Sequence, residues 1–282
     1  MILKYITTIS FIWGCALSVQ RDNDGKTPLM LAAKNGDIDL VKSLVDTGAN
    51  IKHAQEEGQT PLIAVAVQLE SLNLINLLID KGADIEKRDI EGNNALIWVT
   101  CEGSEDTVKA LLSRGSKIDV RGKDQATPLR CAPGKGHLDI VKYLINKVAD
   151  IEAEDNSGNT ILIWATWNNH SDITKFPLQS DKGADIEKRD VDGDNALIWA
   201  AREGSADAVK ALLSRDSKID VRGKDQKTPL ICTAGTGHLD TVKYLVNKGV
   251  AIEAEDNAGN TSLQWATRNN HSDIAEFLLS KA

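Results

Sequence analysis

The sequence predicts an all-α solenoid of stacked helix-turn-helix units with short β-turn or hairpin tips, and two periodicities support this prediction. Residues 81–173 and 182–274 align at an offset of 101, with 70 of 93 positions identical. A shorter period of about 33 residues runs through the chain from about Arg21 to the C-terminus, giving eight units. Self-similarity at roughly 20–50 residues is typical of arrays in which each unit packs only on its neighbours.

The first unit shows why each unit is predicted to contain two short helices. Thr27 can cap the free amide groups of a helix that begins at Pro28, where the missing N–H of proline would be unpaired in any case. Gly36 can adopt the left-handed conformation that ends this helix. Residues 37–45 space their apolar side chains as one helical face, and Gly48 ends this second helix.

The turn glycines and helix starts divide the chain into units of nearly equal length. The predicted boundaries are about 21–53, 54–87, 88–120, 121–153, 154–188, 189–221, 222–254 and 255–282. The fifth unit carries two additional residues, and Pro177 falls inside its second helix. Because an interior proline removes a helical hydrogen bond, the sequence predicts a shortened or kinked helix there.

One motif recurs at the start of the first helices. It stands at Thr27-Pro28-Leu29, Thr60-Pro61-Leu62, Thr127-Pro128-Leu129 and Thr228-Pro229-Leu230, and most units end like Gly82-Ala83-Asp84-Ile85. With these residues the chain resembles the ankyrin repeat family, whose signature is T-P-L-H-x-A in a frame of about 33 residues. The resemblance implies stacked helix pairs that bind other proteins, although the fold hosts many unrelated partners.

The histidine of that signature is absent from all eight units. Its place is taken by Met30, Ile63, Ile97, Arg130, Ile163, Ile198, Ile231 and Gln264. In the family this histidine resembles a hydrogen-bonding clasp between units, so its loss favours apolar contacts between the units of this chain.

Four tryptophans share one position of the unit, in the first helix: Trp98, Trp164, Trp199 and Trp265. Cys131 and Cys232 occupy this position in the units between them. By resemblance to the ankyrin frame the position faces the concave side, so we predict that the four rings line a groove and contact a protein partner, as tryptophan often does at binding hot spots. The alternative is that each ring packs sideways against the next unit as part of the core.

Composition and motifs argue against several classes of function. The chain has 33 basic and 41 acidic residues, a net charge of −8 and a pI near 5.2, so it lacks the basic excess that nucleic acid requires. The histidines and helix-start aspartates recur with the frame, whereas a catalytic centre is normally unique. The sequence shows no phosphate loop, nucleophilic triad or Cys/His metal pattern, and predicts a monomeric, non-catalytic protein without cofactor or metal.

The first residues break the repeat. Met1–Lys4 gives a positive start, residues 5–17 are mostly apolar, and small residues precede a cleavage point near Ser18. This pattern predicts a secretory signal peptide over residues 1–18 and a secreted or periplasmic location. An uncleaved membrane anchor and a lipidated Cys15 are the alternatives.

Removal of the signal peptide would leave three cysteines, Cys101, Cys131 and Cys232. Because the number is odd, at least one thiol stays outside any disulfide within the chain, and the spacing is not that of a metal site. The similar positions of Cys131 and Cys232 favour a small apolar residue at a helix contact.

These observations predict an exported protein–protein interaction module that holds an unidentified protein through its concave groove and turn tips. Neither nucleic acid nor, after signal cleavage, a membrane is expected as a partner. The alternative is a structural spacer, tethered to the envelope or a membrane, without a specific partner.

Overall fold

Residues 21–68, 72–179 and 183–281 are described by the structure, a computed structural model, and they contain sixteen α-helices. Among these residues, β pairing is confined to one isolated antiparallel bridge between Arg189 and Asn195. The prediction of an all-α repeat solenoid is therefore confirmed. The predicted signal peptide, including Cys15, lies outside the described residues.

The chain divides into two compact halves, Met1–Lys135 and Gly136–Ala282. The N-terminal half contains α1 (Pro28–Lys34), α2 (Ile38–Asp46), α3 (Pro61–Ala66), α4 (Leu72–Asp80), α5 (Ala95–Glu102), α6 (Glu105–Ser113) and α7 (Pro128–Gly134). The C-terminal half contains α8 (Leu138–Asn146), α9 (Ile161–Trp167), α10 (Ser171–Gln179), α11 (Ala196–Arg202), α12 (Ala206–Leu213), α13 (Pro229–Thr236), α14 (Leu239–Asn247), α15 (Ser262–Arg268) and α16 (Ser272–Leu279). Odd-numbered helices are the first helices of their repeats, and even-numbered helices are the second. Short 3-10 turns at Lys123–Gln125 and Lys224–Gln226 precede α7 and α13.

The first helices begin where the sequence offers a cap. The side chain of Thr27 accepts a hydrogen bond from the backbone N–H of Met30 at 3.3 Å. The same cap is made by Thr60, Asn94, Thr127, Asn195, Thr228 and Thr261. A side-chain oxygen at this position satisfies one of the amide groups that a helix start leaves unpaired. In each of these caps, the N–H that donates to the cap side chain belongs to the residue at the position of the family's histidine.

The core is built mainly from first helices that pack on one another. Within the N-terminal half α1 contacts α3, α3 contacts α5 and α5 contacts α7; within the C-terminal half α9, α11, α13 and α15 form the same series. The second residue of most first helices is a leucine with at most 1% of its surface exposed: Leu29, Leu62, Leu96, Leu129, Leu162, Leu197 and Leu230. Each repeat therefore buries its apolar face against its neighbours, as the periodicity predicts.

Histidines at the starts of second helices make some of the polar contacts between repeats. His238 and His271 stand immediately before second helices, and each reaches back to the preceding repeat. The Nε2 atom of His238 hydrogen-bonds the carbonyl oxygen of Arg202 at 3.1 Å, and that of His271 the carbonyl oxygen of Gly235 at 3.2 Å. The two histidines occupy equivalent positions in their repeats. Their hydrogen bonds join neighbouring repeats in addition to the apolar contacts.

The predicted shortening of the second helix in the fifth repeat is wrong. Helix α10 runs for nine residues with Pro177 inside it, the same length as α8 and α14. Proline lacks a backbone N–H, so it removes the helical hydrogen bond that its own N–H would donate. Pro177 and Leu178 are both buried, and this packing offsets the loss.

Gly237 offers a test of the close approach between repeats. It ends α13 with a φ of 90°, and a Cβ atom built on it would lie 2.6 Å from the ring of His271. We expect Gly237→Ala to lower the free energy of unfolding by about 2–4 kcal/mol, since a left-handed alanine and an overpacked contact both cost energy. Urea denaturation measures this change.

The matched control is Gly249→Ala. Gly249 has a similar φ of 84°, but no heavy atom lies within 4 Å of a Cβ built there. We expect it to lose only the backbone contribution, about 1–2 kcal/mol. Equal losses in the two variants would show that the histidine contact does not determine the spacing between these repeats.

Candidate functional site

The four tryptophans predicted from the sequence share one local structure. Each is the fourth residue of its first helix, and its indole Nε1 donates a hydrogen bond of 2.8 Å to the Oδ2 atom of an aspartate nine residues earlier. We call these the Trp–Asp pairs: Trp98 with Asp89, Trp164 with Asp155, Trp199 with Asp190, and Trp265 with Asp256. Each aspartate lies in the turn tip before the helix, so the indole ties the tip to the helix.

The second carboxylate oxygen of each pair closes the turn. In the fifth repeat, Oδ1 of Asp155 accepts hydrogen bonds from the backbone N–H groups of Ser157 at 2.9 Å and Asn159 at 3.0 Å. Burial opposes ionisation of Asp155, but the hydrogen bonds from Asn159, Trp164 and Ser157 together outweigh it and hold its pKa below the usual value. The ionised aspartate therefore fixes both the turn and the tryptophan.

All four rings are partly buried, which bears on the two alternatives for their role. The bonded indole edge is part of the structure of its own repeat, and each tryptophan keeps some surface exposed to solvent. The structure therefore leaves the four tryptophans partly exposed on their first helices instead of fully buried. Their contact with a partner stays a prediction.

The C-terminal half brings together an aromatic cluster that the fixed tryptophan position alone does not reveal. Trp167 stacks on Trp164 with ring centroids 4.7 Å apart and on Trp199 with centroids 5.1 Å apart, at interplanar angles of 28° and 29°. The guanidinium of Arg202 lies 4.4 Å from the centroid of Trp199. We call these four side chains the aromatic column.

Trp167 is the most exposed ring of the column, with 40% of its surface accessible. Sequence reasoning missed it because it stands outside the shared tryptophan position. The available signal was its spacing of three residues from Trp164, which places both rings on one face of a helix.

The column follows a general contact between neighbouring first helices, in which the seventh residue of one helix meets the fourth residue of the next. We call this the seven-to-four contact. It joins Trp167 to Trp199, and it brings the guanidinium of Arg202 close enough to Cys232 for the two groups to interact electrostatically. A Cβ atom built on Gly235 would likewise lie 3.6 Å from the ring of Trp265.

Cations of the chain itself occupy the surface beside the column. Arg202 forms an ion pair of 2.6 Å with Asp194, a carboxylate that is only 1% exposed. Near the C-terminus, Lys227 lies 4.1 Å from the centroid of the Trp265 ring and Arg268 lies 5.3 Å from it. Cation–π contacts of this kind hold basic side chains against the aromatic faces.

Comparison with known families agrees with this architecture. The family model described as ankyrin repeats (3 copies) matches six overlapping segments: residues 4–89, 29–124, 65–155, 95–190, 150–225 and 197–282. The chain belongs to the ankyrin repeat family. Ankyrin repeats are in general protein–protein interaction modules on a non-catalytic fold. None of the curated proteins compared with this ankyrin repeat chain matches it.

In residues 21–68, 72–179 and 183–281 of this ankyrin repeat protein, no helix has the length and apolar character needed to cross a membrane. The same residues hold no group of three or more His, Cys, Asp or Glu side chains arranged to bind a metal ion.

The Trp–Asp pair of the fifth repeat predicts a pH-dependent contribution to stability. A carboxylate whose pKa is lowered on folding stabilises the protein above its unfolded pKa, and the contribution is lost as the pH falls through the folded pKa. We expect Asp155→Asn to lower the free energy of unfolding by about 1–3 kcal/mol at neutral pH. The difference from the wild type should be complete above about pH 5 and shrink below the ordinary aspartate pKa of 3.8.

Urea denaturation of both proteins at a series of pH values measures this difference. The exposed Glu253 supplies the control, because Glu253→Gln removes one carboxylate without breaking a Trp–Asp pair. A wild-type advantage over Asp155→Asn that stays constant down to pH 3, roughly one unit below the ordinary value, would contradict the role given to the ionised aspartate.

Proposed function

We propose that this ankyrin repeat protein is a monomeric, non-catalytic interaction module that binds a protein partner through the first-helix surface carrying the aromatic column, together with its turn tips. The observation that carries the proposal is the exposure of Trp167 between two other tryptophans. Ankyrin repeats in general bind proteins, and the column supplies this chain with a defined place to do so.

The column has the properties of a binding hot spot. Tryptophan presents a large, rigid surface with few rotatable bonds, and hot spots are enriched in tryptophan and arginine. Trp167 differs from the other rings of the column because the residue nine positions earlier is Gly158, which has no carboxylate to hold its indole. Its exposed surface can therefore be covered by a partner without breaking a Trp–Asp pair.

The turn tips offer a second region of contact. Ile90 and Val191 occupy equivalent positions in the two copies, and 72% and 74% of their surfaces are exposed. The backbone N–H of each donates to the preceding tip, Ile90 to the carbonyl oxygen of Glu57 at 3.0 Å and Val191 to that of Ser157 at 2.9 Å. These bonds fix the tips while leaving the apolar side chains in solvent, where a partner can bury them.

Replacement of Trp167 tests the proposal. The equivalent residue of the last repeat is Arg268, which lies against the ring of Trp265, so Trp167→Arg keeps a side chain that this frame already accommodates. We expect the variant to bind the partner at least about tenfold more weakly, since loss of a central tryptophan is typical of a hot-spot deletion.

The experiment is affinity capture from the native source with wild-type and variant chains, quantified by mass spectrometry, followed by titration of the purified captured protein. The control is Leu40→Lys, which alters an exposed apolar residue on a second helix. Folding of each variant is checked by its urea midpoint. If wild type and Trp167→Arg bind the purified protein equally, the column is not the binding surface.

We also propose that the chain is exported. The proposal rests on the positive start, the apolar segment and the small residues before Ser18. Mass spectrometry of the protein from its native source is expected to find an N-terminus near Val19. A retained Met1 or a lipid-modified Cys15 would favour the tethered spacer instead.

A further inference from the structure

Two cysteines of the N-terminal half meet at a boundary between repeats. Cys101 is the seventh residue of α5 and Cys131 is the fourth residue of α7, and these helices pack on each other. The two thiols are close enough for each to shift the pKa of the other. This is the seven-to-four contact, which in the second copy pairs Arg202 with Cys232.

The backbone geometry of this contact suits a disulfide. A Cβ atom built on Gly235 would lie 3.8 Å from the Cβ atom of Trp265 across the same contact between the last two repeats. The Cβ atoms of a disulfide are typically about 3.8 Å apart.

The two copies of the duplicated block therefore differ in the chemistry of one contact. The first copy places a thiol on both sides, whereas the second pairs a guanidinium with a thiol. Cys232 is buried with 6% of its surface exposed, but Cys101 and Cys131 are both partly exposed. Only the pair in the first copy combines mutual contact with access to solvent.

The surroundings of the two thiols differ, so one is the more reactive. The hydrogen bond to Cys131 and burial together raise the pKa of Cys101. The pKa of Cys131 is lowered by the hydrogen bond from Cys101 and by the guanidinium of Arg130, although burial opposes this. Because the thiolate is the nucleophile in thiol chemistry, Cys131 is the group that reacts first.

We propose that Cys101 and Cys131 form a redox site, in which a low-molecular-weight disulfide oxidises them to a reversible disulfide bond between the third and fourth repeats. The Cys131 thiolate attacks one sulfur of the small disulfide and expels its first half as a thiol, which leaves a mixed disulfide. The Cys101 sulfur then attacks the Sγ of Cys131 and expels the second half. The protein loses two protons and two electrons, and the small disulfide gains them as two thiols.

The disulfide bond would cross the interface between the third and fourth repeats and stabilise it. In a repeat array, stability depends on the interfaces between neighbouring repeats, and a covalent link across one interface limits the separation of its two sides in the unfolded chain. The cysteines are 30 residues apart, so the bond spans one repeat period. The site is independent of the partner proposed above.

The full chain is incubated in glutathione buffers of increasing oxidised fraction, alkylated and mapped by mass spectrometry. We expect a peptide linked through Cys101 and Cys131, an intact mass lower by two hydrogens, and an alkylated Cys232, all reversed by dithiothreitol. The urea midpoint of the oxidised protein is expected to lie above that of the reduced protein.

Three variants separate this site from other thiol reactions. Cys101→Arg introduces the residue of the second copy, Cys101→Ser is a smaller change, and both should abolish the linked peptide and the midpoint shift. Cys232→Ala should leave both unchanged. The proposal is overturned if Cys101 and Cys131 remain alkylated in the most oxidising buffer, if each carries only a separate glutathione, or if the dominant bond involves Cys232.

Discussion

The packing of each first helix on the next is the interaction on which the rest of this structure depends. A first helix has six to eight residues and is too short to be stable alone, because helix nucleation costs more than a few internal hydrogen bonds return. Its second residue, in most repeats a buried leucine, gains its burial from neighbouring repeats. The contact repeats along each half, so removing one interface weakens the repeats on both sides of it.

The Trp–Asp pairs solve a different problem, which is how a turn tip keeps its shape when it projects from the helices. A tip has little apolar surface to bury, so polar groups must hold it. An aspartate such as Asp256 accepts two backbone N–H groups and an indole N–H, and the indole belongs to the helix that follows. These hydrogen bonds fix the position of the turn tip relative to the first helix. A partner that contacts the tip and the helix therefore binds a surface of fixed geometry.

The periodicity of the sequence was sufficient to predict the repeat architecture, the helix starts and the shared position of the tryptophans. Caps and turn glycines are local, so a single unit already specifies them. The aspartate nine residues before each tryptophan also recurs four times, and this recurrence could have revealed the pairs. The separation spans a turn and half a helix, however, and neither residue type alone indicates the other.

Contacts between repeats were harder to predict, because they depend on how far one helix is offset from the next. The stacking of Trp167 on Trp199 and the meeting of Cys101 with Cys131 both require the seven-to-four offset, which no single unit contains. The length of α10 shows that a prediction from local sequence can also fail when packing in the array outweighs it. A local rule for Pro177 predicted a shortened or kinked helix, but α10 keeps its full length with Pro177 buried inside it.

The seven-to-four contact also explains how a duplicated block can acquire different properties without changing its fold. Burial at the second position and the caps before it are nearly constant, so they maintain the array. The contact itself carries two indoles, a guanidinium and a thiol, two thiols, or a glycine and an indole in four different interfaces. Since each of these pairs fits the same backbone, binding and redox chemistry can vary from one interface to the next, independently of the fold.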